Sequence, residues 1–185
     1  MAMIPAIEYL KQADRFRLLP NVSISSRNKV GTVLLVSKVP LNAIRSLALD
    51  DRSKTSVALL RILYSKVFPA GLKQTRQEPD LEKMLHNNDA ALIIGDQALG
   101  VAKAGVSIYD LSEEWFKRTE KTFVHAVIAV REGIKVESSI IKTLLDAKQE
   151  GLQNLDTIAK TQADKTGHSV FLLRDYLKNK IRYDF

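Results

Sequence analysis

The chain has 185 residues, 45% of them hydrophobic and 26% charged, a balance that suits a globular protein able to bury a real core. It contains no cysteine, which excludes disulfides, thiol nucleophiles and thiolate metal sites, and its three histidines (His86, His125, His168) are too scattered to suggest a zinc centre. The net charge of +7 is spread along the sequence without an aromatic platform or recognition motif, so it points to an acidic small-molecule substrate rather than to nucleic acid.

In chain order, Ile4 to Leu10 reads as the start of a helix, with Pro5 tolerated in its first turn. Arg17 to Ser25 reads as extended, and Val30 to Ser37 as a strand closed by Pro40. Ser46-Leu-Ala-Leu49 is a short buried strand, followed by the polar turn Asp50-Asp-Arg-Ser-Lys54. Thr55 and Ser56 then occupy the expected N-cap of a helix whose apolar positions are Val57, Leu60, Ile62 and Leu63. Leu72 to Arg76 is a strand, and Pro79-Asp80 caps a helix running to Leu85 with Leu81, Met84 and Leu85 on one face. Asp89-Ala-Ala-Leu-Ile-Ile-Gly-Asp96 is a second apolar run that breaks at Gly95 into another helix. Val106 to Tyr109 is a short strand, and Glu113 and Glu114 favour the first turn of a helix from Ser112. Phe123 to Val130 is a long apolar strand, and the remainder is helical over 137–150, 152–166 and 169–180.

Strands alternating with helices imply an α/β protein with mostly parallel sheets. Two long strands, Val30–Ser37 and Phe123–Val130, bracket the block between them. That wiring predicts two lobes: 1–37 with the first crossover strand, 38–122 as the second lobe, and 123–185 as the second crossover and the helices returning to the first lobe. A ligand cleft is expected between the lobes. No apolar run approaches the roughly 20 residues that cross a bilayer. Met1 to Glu8 has no basic stretch ahead of an apolar core. The expectation is a cytoplasmic protein without a membrane partner.

The two βα turns after Leu49 and Ile94 carry the chemistry. Each is expected to aim free backbone N–H groups and a polar side chain at one sheet edge, and helix N-termini attract anions. The candidate substrate-binding residues are Thr55 and Ser56 at the first turn and Gly95 and Asp96 at the second. Thr32, at the start of the first crossover, and Ser25 and Ser26, in a loop after a strand, join them. Each has a plainer reading: Thr55 and Ser56 as caps, Ser25 and Ser26 in a solvated turn, Thr32 satisfying local backbone, and Asp96 as an ordinary first-turn acid. Asp96 and Ser56 are the candidates for a catalytic role, and the general base is unassigned. His125 shares a strand face with Phe123 and Val127, which suits a packed histidine better than a base. Gly95 and Gly100 do not form a dinucleotide fingerprint, so no cofactor or metal is expected.

The motifs Ile4-Pro-Ala-Ile-Glu-Tyr9, Leu19-Pro-Asn-Val-Ser-Ile-Ser-Ser26, Val33-Leu-Leu-Val-Ser-Lys-Val-Pro-Leu41 and Thr55-Ser-Val-Ala-Leu-Leu-Arg61 resemble the chorismate dehydratases of the futalosine route to menaquinone. Pro79-Asp-Leu81, Asp89 to Asp96, Tyr109-Asp-Leu-Ser-Glu-Glu-Trp115 and Tyr176-Leu177 continue the likeness in the same order, over essentially the whole chain. The resemblance implies a two-lobed, type II periplasmic-binding-protein-like fold used as a lyase. The implied reaction is loss of water from chorismate to give 3-[(1-carboxyvinyl)oxy]benzoate, with the small anion chorismate as the partner. It also implies that residues 1–37 are the remnant of a first lobe whose opening strand lies upstream, and that the chain is shortened at both ends. The sequence departs from the family at Thr119-Glu-Lys-Thr-Phe123, commonly Gly-Leu-Pro-Phe, at Ile128, usually Trp, and at His125, commonly Phe. The alternatives are the related nucleoside-cleaving lyase of the same route and a non-catalytic carboxylate-binding protein of the same fold.

Overall fold

The structure, a computed structural model, describes residues 1–102 and 104–184. The chain divides into two compact units, one formed by Met1–Arg27 with Thr122–Phe185 and the other by Asn28–Lys121. Unit 1 opens with β1 (Ala2–Pro5), α1 (Ala6–Leu10) and β2 (Phe16–Ser26). Unit 2 contains β3 (Val33–Ser37), β4 (Ser46–Asp50), α2 (Lys54–Tyr64), β5 (Lys73–Gln77), α3 (Leu81–Asn87), β6 (Ala90–Ile94), β7 (Ser107–Asp110) and α4 (Leu111–Thr119). The chain then returns to unit 1 as β8 (Phe123–Arg131), α5 (Ser138–Gln153), α6 (Leu155–Thr166), α7 (Val170–Asp175), a π-helical turn (Tyr176–Lys180) and β9 (Ile181–Arg182).

In unit 2 the sheet order is β5-β4-β6-β3-β7. Strand β4 runs parallel to β5 and β6, because α2 and α3 carry the chain back between successive strands. Strand β3 is antiparallel to β6 and β7. Every residue of β3 is buried, so both of its faces are covered and it reads as an unbroken apolar run. Leu34 and Val36 pack with Ala48, Met84, Leu85, Ala91 and Ile93 in a continuous core. Helix α2 buries Val57, Leu59, Leu60, Leu63 and Tyr64 but leaves Ile62 exposed, so Ile62 does not belong to the apolar stripe expected of it.

In unit 1 the sheet order is β1-β8-β2-β9, and every pairing is antiparallel. Parallel pairing is therefore confined to β4 and its two neighbours. Leu19, Ile128 and Val130 form a small core, against which Val22, Val136, Ile141 and Leu144 pack from one side. Ile4 and Pro5, expected in a helix, lie in β1, with Pro5 standing before the first residue of α1.

The passages between units also differ from the expected crossovers. Val30–Ser37 does not bridge two lobes: β3 is an inner strand of unit 2, and the chain leaves unit 1 earlier, after Arg27. The strand leading out is β2, whose Ser26 pairs with Phe123 at the start of the returning β8.

Asp110, 3% exposed at the end of β7, anchors this entry into unit 2. Its Oδ2 accepts N–H bonds from Val30 (3.0 Å) and Gly31 (2.6 Å), and its Oδ1 accepts those of Ser112 (3.0 Å) and Glu113 (3.2 Å) at the start of α4. Burial pushes the carboxyl upward, and the four backbone donors oppose that shift. Gly31 meets the carboxylate at φ +80°, a conformation that other residues rarely adopt. Truncation would leave four donors to find other acceptors. Asp110→Ala is expected to lower the unfolding free energy by about 3 kcal/mol or more, and Asp110→Asn, which keeps one acceptor oxygen, by roughly half as much. Urea titration of the full chain checks this, and a loss under about 1 kcal/mol for the alanine variant would show that water replaces the carboxylate.

Candidate functional site

The C-terminal ends of the parallel strands β4 and β6 form one edge of the unit 2 sheet, and Thr32 joins it because β3 runs antiparallel to β6. This edge gathers four of the candidate residues from one strand-helix turn and one strand end: Thr55, Ser56, Gly95 and Asp96. Thr32 is a fifth, since its carbonyl accepts the Gly95 N–H at 2.9 Å.

The first turn is wired differently from expectation. Ser53, not Thr55 or Ser56, is the N-cap of α2, and its Oγ accepts the Ser56 N–H at 3.2 Å. Lys54 is the first helical residue, so Thr55 and Ser56 lie inside the first turn. The Thr55 hydroxyl is buried and makes no hydrogen bond. A buried hydroxyl without a partner is costly, and this one sits at the positive end of an eleven-residue helix. The spacing Ser53-x-x-Ser56 carried the signal for the true cap, but three hydroxyls in four residues made the sequence ambiguous.

The second turn corrects the expectation of a helix after Gly95. The chain makes only the 3-10 turn Gly95–Gln97, entered through Gly95 at φ +67°. The Gly95 N–H is taken by Thr32, so it is not available to a ligand. Asp96 stands in this turn.

Sequence reasoning missed Arg52. Asp50, fully buried at the end of β4, takes the Arg52 N–H (3.1 Å) and Nε (3.1 Å) on Oδ1 and Nη2 (2.9 Å) on Oδ2. The same Oδ2 lies 3.4 Å from the Ile94 N–H. The planar guanidinium is thereby held in a fork against a carboxylate that cannot reach water, while the Arg52 side chain remains 52% exposed. Asp50 strengthens the charge on Arg52, and Asp51 and Asp96 act in the same direction. Among the described residues, this edge therefore holds a fixed, exposed cation, a buried hydroxyl without a partner and a helix N-terminus within one unit.

Ser25 and Ser26 belong to unit 1. Neither lies in a loop or a solvated turn. Both are fully buried in β2, opposite Val124 and Phe123, and also pair with β9. Ser25 Oγ donates to the Asp184 carbonyl at 2.7 Å. Ser26 Oγ lies 2.6 Å from His125 Nε2, and the His125 ring meets Phe123 edge-on at 5.0 Å. Burial lowers the His125 pKa from 6.5 to about 4, so the ring is neutral near pH 7 and a poor base.

A model of a family described as menaquinone biosynthesis matches residues 1–185. The chain belongs to this menaquinone biosynthesis family. A relative from Thermus thermophilus, named chorismate dehydratase, is 33% identical over 196 residues, which cover 97% of this chain and 72% of that protein. A solved structure from Archaeoglobus fulgidus superposes with a TM-score of 0.63 at 20% identity, over 96% of this chain. The match spans 63% of that structure, just under two thirds of its length. The periplasmic aliphatic sulphonate binding protein SsuA of Escherichia coli gives a TM-score of 0.55 at 14% identity, covering 95% of this chain and 71% of SsuA. These two likenesses fix the fold: this member of the menaquinone biosynthesis family has a periplasmic-binding-protein-like α/β architecture. Among its described residues, no helix is long and apolar enough to cross a membrane.

Two measurements check the wiring. Ser53→Ala is expected to destabilise unit 2 by about 1 kcal/mol through loss of the cap. No loss in Ser53→Ala, with a loss of that size in Ser56→Ala, would return the capping role to Ser56. The second concerns His125, whose folded pKa lies below its unfolded value. Its neutral form is compatible with the fold at and above pH 6.5. As pH falls from 6.5 towards 4, only the unfolded chain gains the proton, and up to about 3 kcal/mol of stability is lost. Denaturation at pH 7 and pH 4.5 should show this loss in the parent and a smaller one in His125→Phe; equal losses would show that other groups drive acid unfolding.

Proposed function

We propose that this protein is a chorismate dehydratase, a cytoplasmic hydro-lyase of the futalosine route that converts chorismate to 3-[(1-carboxyvinyl)oxy]benzoate and water. The observation that carries this reading is the 33% identity to the Thermus chorismate dehydratase along 97% of the chain. The chemistry asks little beyond charge control. Conjugation to the ring carboxylate acidifies the C3 proton of chorismate. Transfer of that proton to a base leaves an electron pair that forms the new ring double bond as the C4 hydroxyl departs. A proton delivered to the departing oxygen completes one molecule of water, and the ring is aromatic.

The substrate is a dianion, and its ring carboxylate gains negative charge as C3–H ionises. In this reading the Thr55 hydroxyl and the first turn of α2 receive that carboxylate, where a preorganised donor acts most strongly. Thr32 borders the same edge, with Ser56 beside Thr55 as a further donor. Arg52, held rigid by Asp50, supplies the compensating positive charge. Asp96 is the candidate proton carrier, being the ionisable side chain of the second turn. His125 is not assigned as the base in this reading, because desolvation lowers its pKa and keeps the ring neutral. Ser25 and Ser26, whose hydroxyls bond the Asp184 carbonyl and His125 within unit 1, are given no role in this reading. A second reading, a non-catalytic receptor for a small carboxylate, draws on the likeness to SsuA.

Anaerobic incubation of the protein with chorismate, followed by ultraviolet and mass detection, should reveal an aromatic product one water lighter. Thr55→Ala is expected to lower kcat/KM by about 5- to 150-fold, equivalent to about 1–3 kcal/mol for a hydrogen bond to a charged group. Ser56→Ala should fall within the same range or below it. His125→Phe should retain activity to within about tenfold. Saturable binding of chorismate without turnover would select the receptor reading, and a loss of several orders of magnitude in a folded His125→Phe would make His125 the base.

A further inference from the structure

Against the buried stripe of α2, a cavity of about 400 Å³ opens in unit 2 between the helix, the start of β4 and the segment leading to β5. Its apolar walls include Leu47, Val57, Leu60, Phe68 and Leu72, and Arg61, Ser65 and Gln74 place polar groups among them. The volume lies within the range of small-molecule sites, and apolar walls with a few placed polar groups are the usual build of such a site.

The charge around it is one-sided. From Arg52 to Gln77 the sequence carries six cations, Arg52, Lys54, Arg61, Lys66, Lys73 and Arg76, and no acidic residue. Among the described residues none of Arg61, Lys66, Lys73 and Arg76 enters an ion pair. The Arg61 guanidinium reaches only the Gln74 side-chain oxygen, at a long 3.5 Å. A cation beside an apolar cavity, with no carboxylate to answer it, is complementary to an anion that carries its own hydrocarbon body. A bare inorganic ion would leave the apolar walls unused, and a neutral hydrocarbon would leave Arg61 unused.

We infer that this cavity binds a small cyclic carboxylate, with the ring against Leu47, Val57, Leu60, Phe68 and Leu72 and the carboxylate on Arg61. The site is separate from the edge bearing Thr55: Arg61 stands six positions further along the helix, a rise of about 9 Å at 1.5 Å per residue. Because both sites rest on α2, an occupant here braces the same helix whose first turn faces the candidate substrate. This inference stands independently of the reaction proposed above.

Isothermal titration of the full chain with 2-naphthoate tests it. The parent should bind with a Kd below about 1 mM, an affinity of roughly 4 kcal/mol. Arg61→Gln should weaken binding at least tenfold, and Leu72→Trp, which fills the cavity without touching the charge, should do the same. The neutral alcohol 2-naphthalenemethanol should bind at least tenfold more weakly than the acid. Thr55→Ala should leave naphthoate affinity within twofold, and inorganic phosphate at equal concentration should not displace naphthoate. Absence of binding to the parent, indifference to Arg61→Gln or Leu72→Trp, or displacement by phosphate would overturn the inference, and loss of binding in Thr55→Ala would place naphthoate at the other edge and do likewise.

Discussion

The buried carboxylate of Asp110 sets the geometry on which the rest of unit 2 depends. Four backbone N–H groups from two separate stretches of chain converge on its two oxygens. One pair belongs to the segment entering the unit, the other to the first turn of α4. The fixing of Val30 and Gly31 also fixes Thr32, whose carbonyl receives the Gly95 N–H and thereby holds the turn after β6. From there the Ile94 N–H leads to Asp50, and Asp50 to Arg52. One desolvated charge is compensated entirely by backbone donors, and a chain of short contacts carries its placement across the sheet to the candidate site.

That site is dominated by donors released from structural duty. Ser53 satisfies the helix end, so the Thr55 hydroxyl is left buried without a partner. Arg52 is paired on one side only, against a carboxylate that is itself out of water. A rigid, partly neutralised cation discriminates by direction as well as by sign, since its fork is already oriented before a ligand arrives. Such a fork is suited to receiving negative charge.

Much of the fold could be read from local patterns. The strands at 46–50, 73–77, 90–94 and 123–131 and the cap at Asp80 agree with the sequence because each is decided by neighbours within a few residues. Two of the misreadings share a cause, which is dependence on partners distant in sequence. Val30–Ser37 has the length and apolar content of a crossover, but only its pairing with β6 and β7 shows that it lies inside a sheet. Ser26 and His125 are 99 positions apart, and nothing local in either marks the 2.6 Å contact between them. Arg52 escapes notice for the opposite reason: a charged residue in a polar turn is ordinary, and its distinction comes from the burial of Asp50 two residues earlier. Ile62, apolar but solvent-facing, shows that periodicity alone gives a helix face only to within one residue.

The pairing of Ser26 with Phe123 has a consequence for how the chain is assembled. Unit 1 loses the chain at one strand and regains it on the adjacent strand, directly opposite. Everything between, residues 28–121, is topologically a long excursion from a single antiparallel hairpin. Its removal and replacement by a short turn would leave each strand partner in unit 1 where it was. An architecture of this kind lends itself to gain or exchange of a whole module by one insertion event, because the host needs only to tolerate a wider hairpin loop. By the same token, the host must wait for the guest during synthesis. Strand β8 reaches β2 only after the intervening module has been made, so the exposed edge of β2 is a kinetic liability until that module is complete.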